Sequence, residues 1–222
     1  MFLLRQETAA QVAEGLLRLG AVTLRPEAPF RWTSGLWAPI YCDNRLLMAD
    51  PPLRAFVADA LAEAIRTRYP EATLVAGTAT AAVPHAAWVA ERLQLPMVYV
   101  RTEPKGHGQG KQVEGLLPAG ARTVLIEDLL STGRSSLRAI EALRREGAHP
   151  VAVAAIFAYG LPGTEERFRQ ADLPVLVLCT LRELVEVALR EGELSSEQAA
   201  LIWSWHQDPE AWSRRYAEGR SA

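Results

Sequence analysis

Residues 124–135 read VLIEDLLSTGRS and combine an apolar run, two adjacent acids and a turn rich in hydroxyl groups and glycine. The acids are Glu127 and Asp128, and a helical pattern begins after Gly133. This order predicts a strand that ends in two carboxylates and leads into the free amides of a helix N-terminus, which can hold a phosphate. Carboxylates accept hydrogen bonds from sugar hydroxyls, so the stretch predicts a site for a phosphorylated sugar.

A plainer interpretation of the same residues stays open. Ser131 or Thr132 could cap a helix, and the two acids could be solvated at the end of a strand. Two common nucleotide-binding loops are excluded, because no lysine follows the glycine and the glycine triplet of a dinucleotide fingerprint is absent.

A second informative stretch, residues 101–115, reads RTEPKGHGQGKQVEG. It holds both lysines of the chain, Lys105 and Lys111, although lysine and arginine together number 24. Its four glycines leave neither a helical nor a strand period, which predicts a long loop of the kind that often serves as a lid. Cations on a lid suit a polyanion whose charge grows during a reaction, such as a departing pyrophosphate. The alternative is a solvated basic loop without a ligand.

Length and composition narrow the class of protein. A chain of 222 residues suits one α/β core, and a net charge of −2 implies no broad basic face for nucleic acid. The two cysteines, Cys42 and Cys179, lie in apolar stretches and are expected to be reduced core thiols. The apolar run at the N-terminus is too short for a signal peptide or a membrane helix, so we expect a cytoplasmic protein without a membrane partner.

Alternating strand and helix patterns from residue 50 onward predict an α/β fold, a doubly wound, mostly parallel sheet flanked by helices. Asp50 before Pro51 begins one helix, and Pro84 opens another. The predicted strands are residues 73–76, 97–101, 122–128, 150–159 and 175–178. Ligands of such sheets bind at the carboxyl ends of the strands. Three loops are predicted at that edge, namely residues 77–83, 101–115 and 128–135.

The N-terminal segment is predicted to be an addition to the sheet and not an independent domain. Thr8 and Gln11 form the pattern of a capping box, which predicts a helix that begins there and stops at Gly20. Residues 30–48 are rich in aromatics and broken by glycine and proline, which predicts short strands and turns.

The C-terminal segment is predicted to be helical. Thr180 with Glu183, and Ser195 with Gln198, form capping boxes that open two helices. We therefore expect a single domain over residues 1–222. Its approximate parts are an N-terminal segment, a core and a helical tail, at residues 1–50, 51–179 and 180–222.

Four stretches together resemble the orotate phosphoribosyltransferases, and the likeness runs nearly end to end. VLIEDLLSTGRS resembles the phosphoribosyl-diphosphate motif of type I phosphoribosyltransferases, and RTEPKGHGQGKQVEG resembles the catalytic loop of the orotate enzymes. Residues 30–45, FRWTSGLWAPIYCDNR, resemble their base-binding hood, and residues 77–86, GTATAAVPHA, their pyrophosphate turn. The tail sequence LIWSWHQDPEAW resembles that of a bacterial branch. The first motif marks only the superfamily, whereas the loop and the hood point to orotate.

The resemblance implies the type I phosphoribosyltransferase fold, with a small hood formed by the N-terminal segment, and the activity of a pentosyltransferase. Such an enzyme moves the 5-phosphoribosyl group from phosphoribosyl diphosphate to N1 of orotate, which gives orotidine 5′-phosphate and pyrophosphate in pyrimidine (UMP) biosynthesis. It also implies a homodimer whose 101–115 loop reaches the neighbouring active site. Mg²⁺ is implied as cofactor, held mainly by substrate and water and not by protein ligands.

The resemblance further assigns roles to single residues. Arg101, Lys105 and His107 would bind the pyrophosphate and act in catalysis, although His107 could be only a loop contact. Glu127 and Asp128 would hold the ribose hydroxyls. The rest of the phosphoribosyl-diphosphate site would be Leu129, Leu130, Ser131, Thr132, Gly133, Arg134 and Ser135, with residues 131–135 around the 5-phosphate. The orotate contacts would be Ser131, Ser34, Gly35 and Arg45.

Some positions depart from the family pattern. Another branch has lysines where this chain has Thr33, Ala81 and Thr102, and an arginine near Tyr159. Ala82 stands where glycine is usual, and its Cβ is expected to strain the pyrophosphate turn. These departures leave open a phosphoribosyltransferase for another base. A separate alternative, of a different class, is a non-catalytic regulator that senses phosphoribosyl diphosphate.

Overall fold

A computed structural model describes residues 2–3, 6–103 and 111–219 of the chain. The strands are β1 (Phe2–Leu3), β2 (Val22–Leu24), β3 (Phe30–Arg31), β4 (Trp37–Ala38), β5 (Ile40–Cys42), β6 (Leu74–Thr78), β7 (Met97–Val100), β8 (Val113–Glu114), β9 (Arg122–Leu130), β10 (His149–Ala158) and β11 (Val175–Thr180). The helices are α1 (Gln6–Arg18), α2 (Pro51–Arg68), α3 (Val83–Leu93), α4 (Arg134–Arg145), α5 (Thr164–Gln170), α6 (Leu181–Arg190), α7 (Ser196–Gln207) and α8 (Pro209–Gly219), and a 3-10 helix covers Asn44–Ala49.

Seven strands form the main sheet, in the order β1-β11-β10-β9-β6-β7-β8. Every neighbouring pair is parallel except β7 with β8. Because successive residues of a strand point to opposite faces, Val124 and Ile126 of β9 join one buried core and Leu125 joins another. Helices α2 and α3 pack on the first face and α4 packs on the second. The doubly wound, mostly parallel sheet predicted from the sequence is confirmed.

The helix boundaries follow the capping signals, with one exception. Asp50 caps α2 by accepting a hydrogen bond from the amide of Leu53 at 3.0 Å, and both predicted capping boxes open α6 and α7. The predicted capping box at Thr8 is wrong, because α1 already begins at Gln6 and Thr8 lies inside its first turn. A Thr-x-x-Gln spacing also occurs within helices, where the backbone amides are bonded to the preceding turn.

The N-terminal segment, residues 1–50, contributes both to the sheet and to a small layer above it, and we call this segment the hood. Strand β1 pairs in parallel with β11 at one edge of the main sheet. Strands β2 with β5, and β3 with β4, form two antiparallel ribbons. Strands β3, β4 and β5 are the short strands expected within residues 30–48, whereas β2 lies before them and Asn44–Ala49 form a 3-10 helix. The hood is therefore joined to the main sheet through one edge strand.

The helical tail closes against the hood. Trp205 of α7 is fully buried, and its ring forms a T-shaped pair with Trp32 at a centroid distance of 5.7 Å. The amide of Trp37 donates to the Ser213 hydroxyl of α8 at 2.8 Å. The tail therefore buries hood aromatics that would otherwise face solvent. Among the described residues, no helix combines the length and apolar character that crossing a bilayer requires.

Candidate active site

The predicted loops meet at the carboxyl edge of the sheet. Because β6 and β9 are parallel neighbours, the turn after Thr78 and the turn after Leu130 leave the sheet on the same side. The start of the 101–115 segment joins them, because the Thr102 hydroxyl donates to the carbonyl of Ala79 at 3.4 Å. The three segments that the sequence placed at this edge thus lie together, as far as the structure describes them.

An open cavity of about 900 Å³ lies between the hood, the end of β9 and the tail. Ser34 of the hood and Ser131 of the loop after β9 both line it, although they are far apart in the sequence. The tail contributes residues 207–210 to the opposite wall. One cavity therefore holds two of the residues predicted to contact the base and part of the predicted phosphate loop.

Two other residues predicted to contact the base are not among those that line the cavity. Arg45 turns its guanidinium to Asp43, with nitrogen–oxygen distances of 2.6 and 2.8 Å. Gly35 lies in the turn between β3 and β4 with a φ of +88°, a conformation that favours glycine. Gly35 thus shapes the hood turn that carries Ser34.

The segment after β9, Ser131 to Gly133, leads directly into α4. Gly133 is the N-cap of α4 at a φ of +76°, and no side chain caps the helix. The interpretation that Ser131 or Thr132 merely caps this helix is therefore wrong. The first amides of α4 are left without a capping side chain, beside the Arg134 side chain that lines the cavity, and such amides favour an anion.

The two acids at the end of β9 have different surroundings. Glu127 is buried, and its two carboxylate oxygens accept hydrogen bonds from the hydroxyls of Ser136, at 2.6 Å, and of Thr78. Asp128 is only partly buried, and its backbone carbonyl accepts a hydrogen bond from the side-chain Nδ2 of Asn44 at 2.5 Å. Asp128 is thus the acid with the more accessible carboxylate, while Glu127 already has partners within the protein.

Burial raises the pKa of Glu127 to about 7, although its bonds from Ser136 and Thr78 oppose the shift. Burial also raises the pKa of Asp128, against hydrogen bonds from its own amide and that of Leu129. A raised pKa at the carboxyl edge of a sheet is typical of functional sites, although buried structural networks produce it too.

This shift predicts a pH effect on stability that Glu127→Gln should remove. Between pH 4.5 and 7 the folded protein keeps a proton on Glu127 that the unfolded chain has lost, so stability should fall as pH rises through this window. Urea unfolding of the ligand-free proteins should show the wild type losing about 2–3 kcal/mol more than the variant between pH 5 and 8. Equal losses in both proteins would show that Glu127 ionises normally.

Of the three predicted pyrophosphate ligands, the structure describes Arg101, while Lys105 and His107 lie outside the described residues. Arg101 approaches Glu114 with a nitrogen–oxygen distance of 3.5 Å, and its amide donates to the carbonyl of Gln112 at 2.9 Å. The amides of Gln112 and Val113 both donate to Glu146 at 3.0 Å, just after the end of α4. The two ends of the predicted lid are thus bonded to each other, and the second end is also bonded to the residue after α4.

Ala82 does not strain the pyrophosphate turn, contrary to the expectation. Its φ and ψ are −83° and −10°, in the right-handed region open to every L-residue, and its side chain is fully buried. The close approach lies instead at Gly77, where an added Cβ would come within 2.7 Å of the Ala86 Cβ. The turn therefore needs a glycine at its beginning and accepts alanine at its end.

Tyr159 provides an aromatic wall in the region where another branch has an arginine. Its ring stacks on Trp32 with centroids 5.3 Å apart and an interplanar angle of 25°, and it meets Trp205 edge-on at 5.9 Å. Both Trp32 and Tyr159 line the cavity. Burial raises the pKa of the Tyr159 phenol well above its usual value, so this wall stays neutral. Such a wall suits a flat ring with an aromatic face.

Three residues of this region carry no signal of their own in the sequence. Arg167 and Gln207 line the cavity, and Asn44 bonds to the backbone carbonyl of Asp128. Each reaches the site through packing between distant segments. Gln207 belongs to the tail motif LIWSWHQDPEAW, to which the sequence assigns no role. Among the described residues, no three His, Cys, Asp or Glu side chains gather into a metal cluster.

Comparison with known proteins gives concordant results. The family pattern described as phosphoribosyl transferase domain matches residues 48–172. The orotate phosphoribosyltransferase of Bacillus caldolyticus is 52% identical over 201 residues, which is 90% of this chain and 97% of that protein. The enzyme of the same name from Cutibacterium acnes is 47% identical, over 96% of this chain and 99% of its own length. The crystal structure of orotate phosphoribosyltransferase from Aeropyrum pernix superposes with a TM-score of 0.71 at 32% identity, over 83% of this chain and 99% of that one.

Proposed function

Since the chain belongs to the orotate phosphoribosyltransferase family, we propose how its cavity performs that family's reaction. The protein is a pentosyltransferase with the type I phosphoribosyltransferase fold. It transfers the 5-phosphoribosyl group from phosphoribosyl diphosphate to N1 of orotate, giving orotidine 5′-phosphate and pyrophosphate in UMP biosynthesis. The observation that carries the proposed mechanism is the single cavity that the phosphate loop shares with the aromatic hood.

We assign the phosphoribosyl end of the substrate to the edge of the sheet. The 5-phosphate binds the amides and hydroxyls of residues 131–135, with Leu129 and Leu130 leading the backbone into that loop. The ribose hydroxyls bind Asp128 and Glu127. Asp128 makes the larger contribution, because Glu127 already accepts two hydrogen bonds from within the protein.

The base lies against the opposite wall of the cavity. Orotate is flat, so it stacks by the aromatic pair Trp32 and Tyr159, and the hydroxyls of Ser34 and Ser131 bind its polar edge. Gly35 shapes the turn that carries Ser34. Arg45 provides positive charge at the hood, although its ion pair with Asp43 partly neutralises that charge.

The pyrophosphate leaves toward the 101–115 segment. Its negative charge grows as the C–O bond stretches, so Arg101, Lys105 and His107 stabilise the transition state more than the ground state. The ribose carbon has oxocarbenium character in that state and is attacked with inversion, and a closed lid excludes the water that would capture it. Mg²⁺ would be held mainly by oxygens of the substrate and by water, and it would neutralise part of the pyrophosphate charge.

We further propose that the chain forms a single domain and works as a homodimer in the cytoplasm. Three large apolar residues of the hood segment, Tyr41, Leu46 and Met48, are each exposed by more than a third, and Leu116 beside the lid is 84% exposed. A second copy of the chain is the partner that would cover such residues at a permanent interface. Both cysteines are free, which suits a reducing compartment.

The function is tested by following orotate absorbance in the presence of phosphoribosyl diphosphate and Mg²⁺. We expect absorbance to fall with time, because orotidine 5′-phosphate absorbs differently, and we expect much slower turnover in Asp128→Asn. Uracil and purine bases serve as competing acceptors. Turnover with one of those bases and none with orotate would show that the acceptor is another base. Binding of phosphoribosyl diphosphate without any turnover would favour a sensor.

A further inference from the structure

Helix α5 contacts the phosphate loop residue by residue. The Thr164 hydroxyl donates to the carbonyl of Ser131 at 3.1 Å, and an Nη atom of Arg167 donates to the carbonyl of Thr132 at 3.2 Å. The third loop residue, Gly133, faces the ring of Phe168: a Cβ added at Gly133 would lie 2.6 Å from one ring carbon. Three consecutive loop residues are thus each held by one residue of a seven-residue helix about 30 positions later in the chain.

These contacts determine which way the loop amides point. A peptide unit is planar and trans, so its N–H points opposite to its C=O. Because the carbonyls of Ser131 and Thr132 point to α5, the amides of Thr132 and Gly133 point away from it. Both residues that donate these bonds are well placed to hold them, since Thr164 is buried and Arg167 is partly buried. Helix α5 therefore orients the donors that the proposed function assigns to the 5-phosphate.

Charge reinforces this arrangement. Arg167 and Arg134 both line the cavity beside the loop, so the bond from Arg167 to Thr132 also places a cation near the bound phosphate. Thr164 is not among the residues that line this cavity, although it makes the equivalent bond to Ser131. An effect of Thr164 on phosphate binding would therefore act through the loop and not by direct contact.

We propose that α5 positions the phosphate loop, with Thr164 and Arg167 as positioning residues that set affinity for the 5-phosphate end of the substrate. The inference rests on the proposed assignment of residues 131–135 to that phosphate. Since α5 touches the loop after β9 and the pyrophosphate is assigned to the 101–115 segment, binding of the two ends of the substrate should respond separately to changes in α5.

The test uses two variants. Thr164→Val keeps the shape of the side chain and removes the hydrogen-bond donor. Arg167→Met removes the cation, at a position that is less buried than Thr164. Ribose 5-phosphate and pyrophosphate are measured separately as inhibitors of the full-length enzyme. In both variants we expect the inhibition constant of ribose 5-phosphate and the KM of phosphoribosyl diphosphate to rise about tenfold, as loss of one hydrogen bond predicts. The inhibition constant of pyrophosphate should change less than about twofold. Thr164→Ser keeps the hydroxyl donor and should therefore show wild-type inhibition constants and KM.

Arg169→Met is the matched control, because Arg169 lies on the same helix but pairs with Glu166 at the surface. It should leave both inhibition constants unchanged. Two results would overturn the inference and leave the proposed function standing, provided that the wild type is active. One is an equal rise in both inhibition constants, and the other is unchanged inhibition constants in both Thr164→Val and Arg167→Met. A well-folded wild type that binds pyrophosphate but not ribose 5-phosphate would instead contradict the assignment of residues 131–135.

Discussion

Lys105→Ala is expected to lower kcat by about 10²–10³ while orotate binding stays nearly unchanged. In the proposed mechanism, the contact of Lys105 with the pyrophosphate strengthens as the C–O bond breaks, so its loss raises the energy of the transition state more than that of the bound substrate. Steady-state kinetics with orotate and phosphoribosyl diphosphate would give kcat, and calorimetry would give the affinity for orotate.

Lys111→Ala provides the matched control, since Lys111 is the other lysine of the chain and belongs to the same stretch. It removes the same charge from the other end of the lid and should lower kcat far less. If Lys105→Ala keeps wild-type kcat, Lys105 has no part in the reaction, and similar losses in both variants would point to the total charge of the lid.

Mixing Lys105→Ala with Asp128→Asn chains extends this prediction to the dimer. If the lid acts on the neighbouring site, each mixed dimer contains one site with both residues intact, and a random mixture should recover about a quarter of wild-type activity. Activity is measured after subunit exchange, with mixed dimers verified by differently tagged chains. Verified mixed dimers that stay inactive would show that the lid serves its own chain.

Gly133→Ala is expected to cause the second large effect, on both stability and substrate binding. At a φ of +76° a Cβ costs about 1–2 kcal/mol, and here it would also lie 2.6 Å from the Phe168 ring. The ring or the loop must shift, and a shifted loop misdirects the amides that we assign to the 5-phosphate. We expect the free energy of unfolding to fall by about 2–4 kcal/mol and the KM for phosphoribosyl diphosphate to rise at least about tenfold.

Gly192→Ala separates backbone strain from the clash. Gly192 has a φ of +75°, nearly that of Gly133, and an added Cβ there would meet no atom within 4 Å. Denaturant unfolding should show a loss of only about 1–2 kcal/mol, with unchanged kinetics. Indistinguishable stability and KM in the two variants would show that the Gly133–Phe168 contact has no special role.

The sequence by itself determined the elements whose signals are local. The strand that carries Glu127 and Asp128, the turn at Gly133 and the two capping boxes at Thr180 and Ser195 were all predicted, because each depends on residues within a few positions of one another. The strand itself runs two residues further than predicted, to Leu130. Alternation of strands and helices then limited the fold to a doubly wound sheet, which places the loops at one edge. Such local signals also mislead, as the spacing of Thr8 and Gln11 did inside α1.

Only the tertiary structure decided which side chains meet at that edge. It placed Ser34 in the cavity with Ser131, and it brought the hydroxyls of Thr78 and Ser136 to the Glu127 carboxylate. The contacts of α5 with the phosphate loop, and of Asn44 with Asp128, join residues more than 30 positions apart. Side chains so distant in sequence have no shared local pattern, because their meeting depends on how whole strands and helices pack, and that packing exists only in the folded chain.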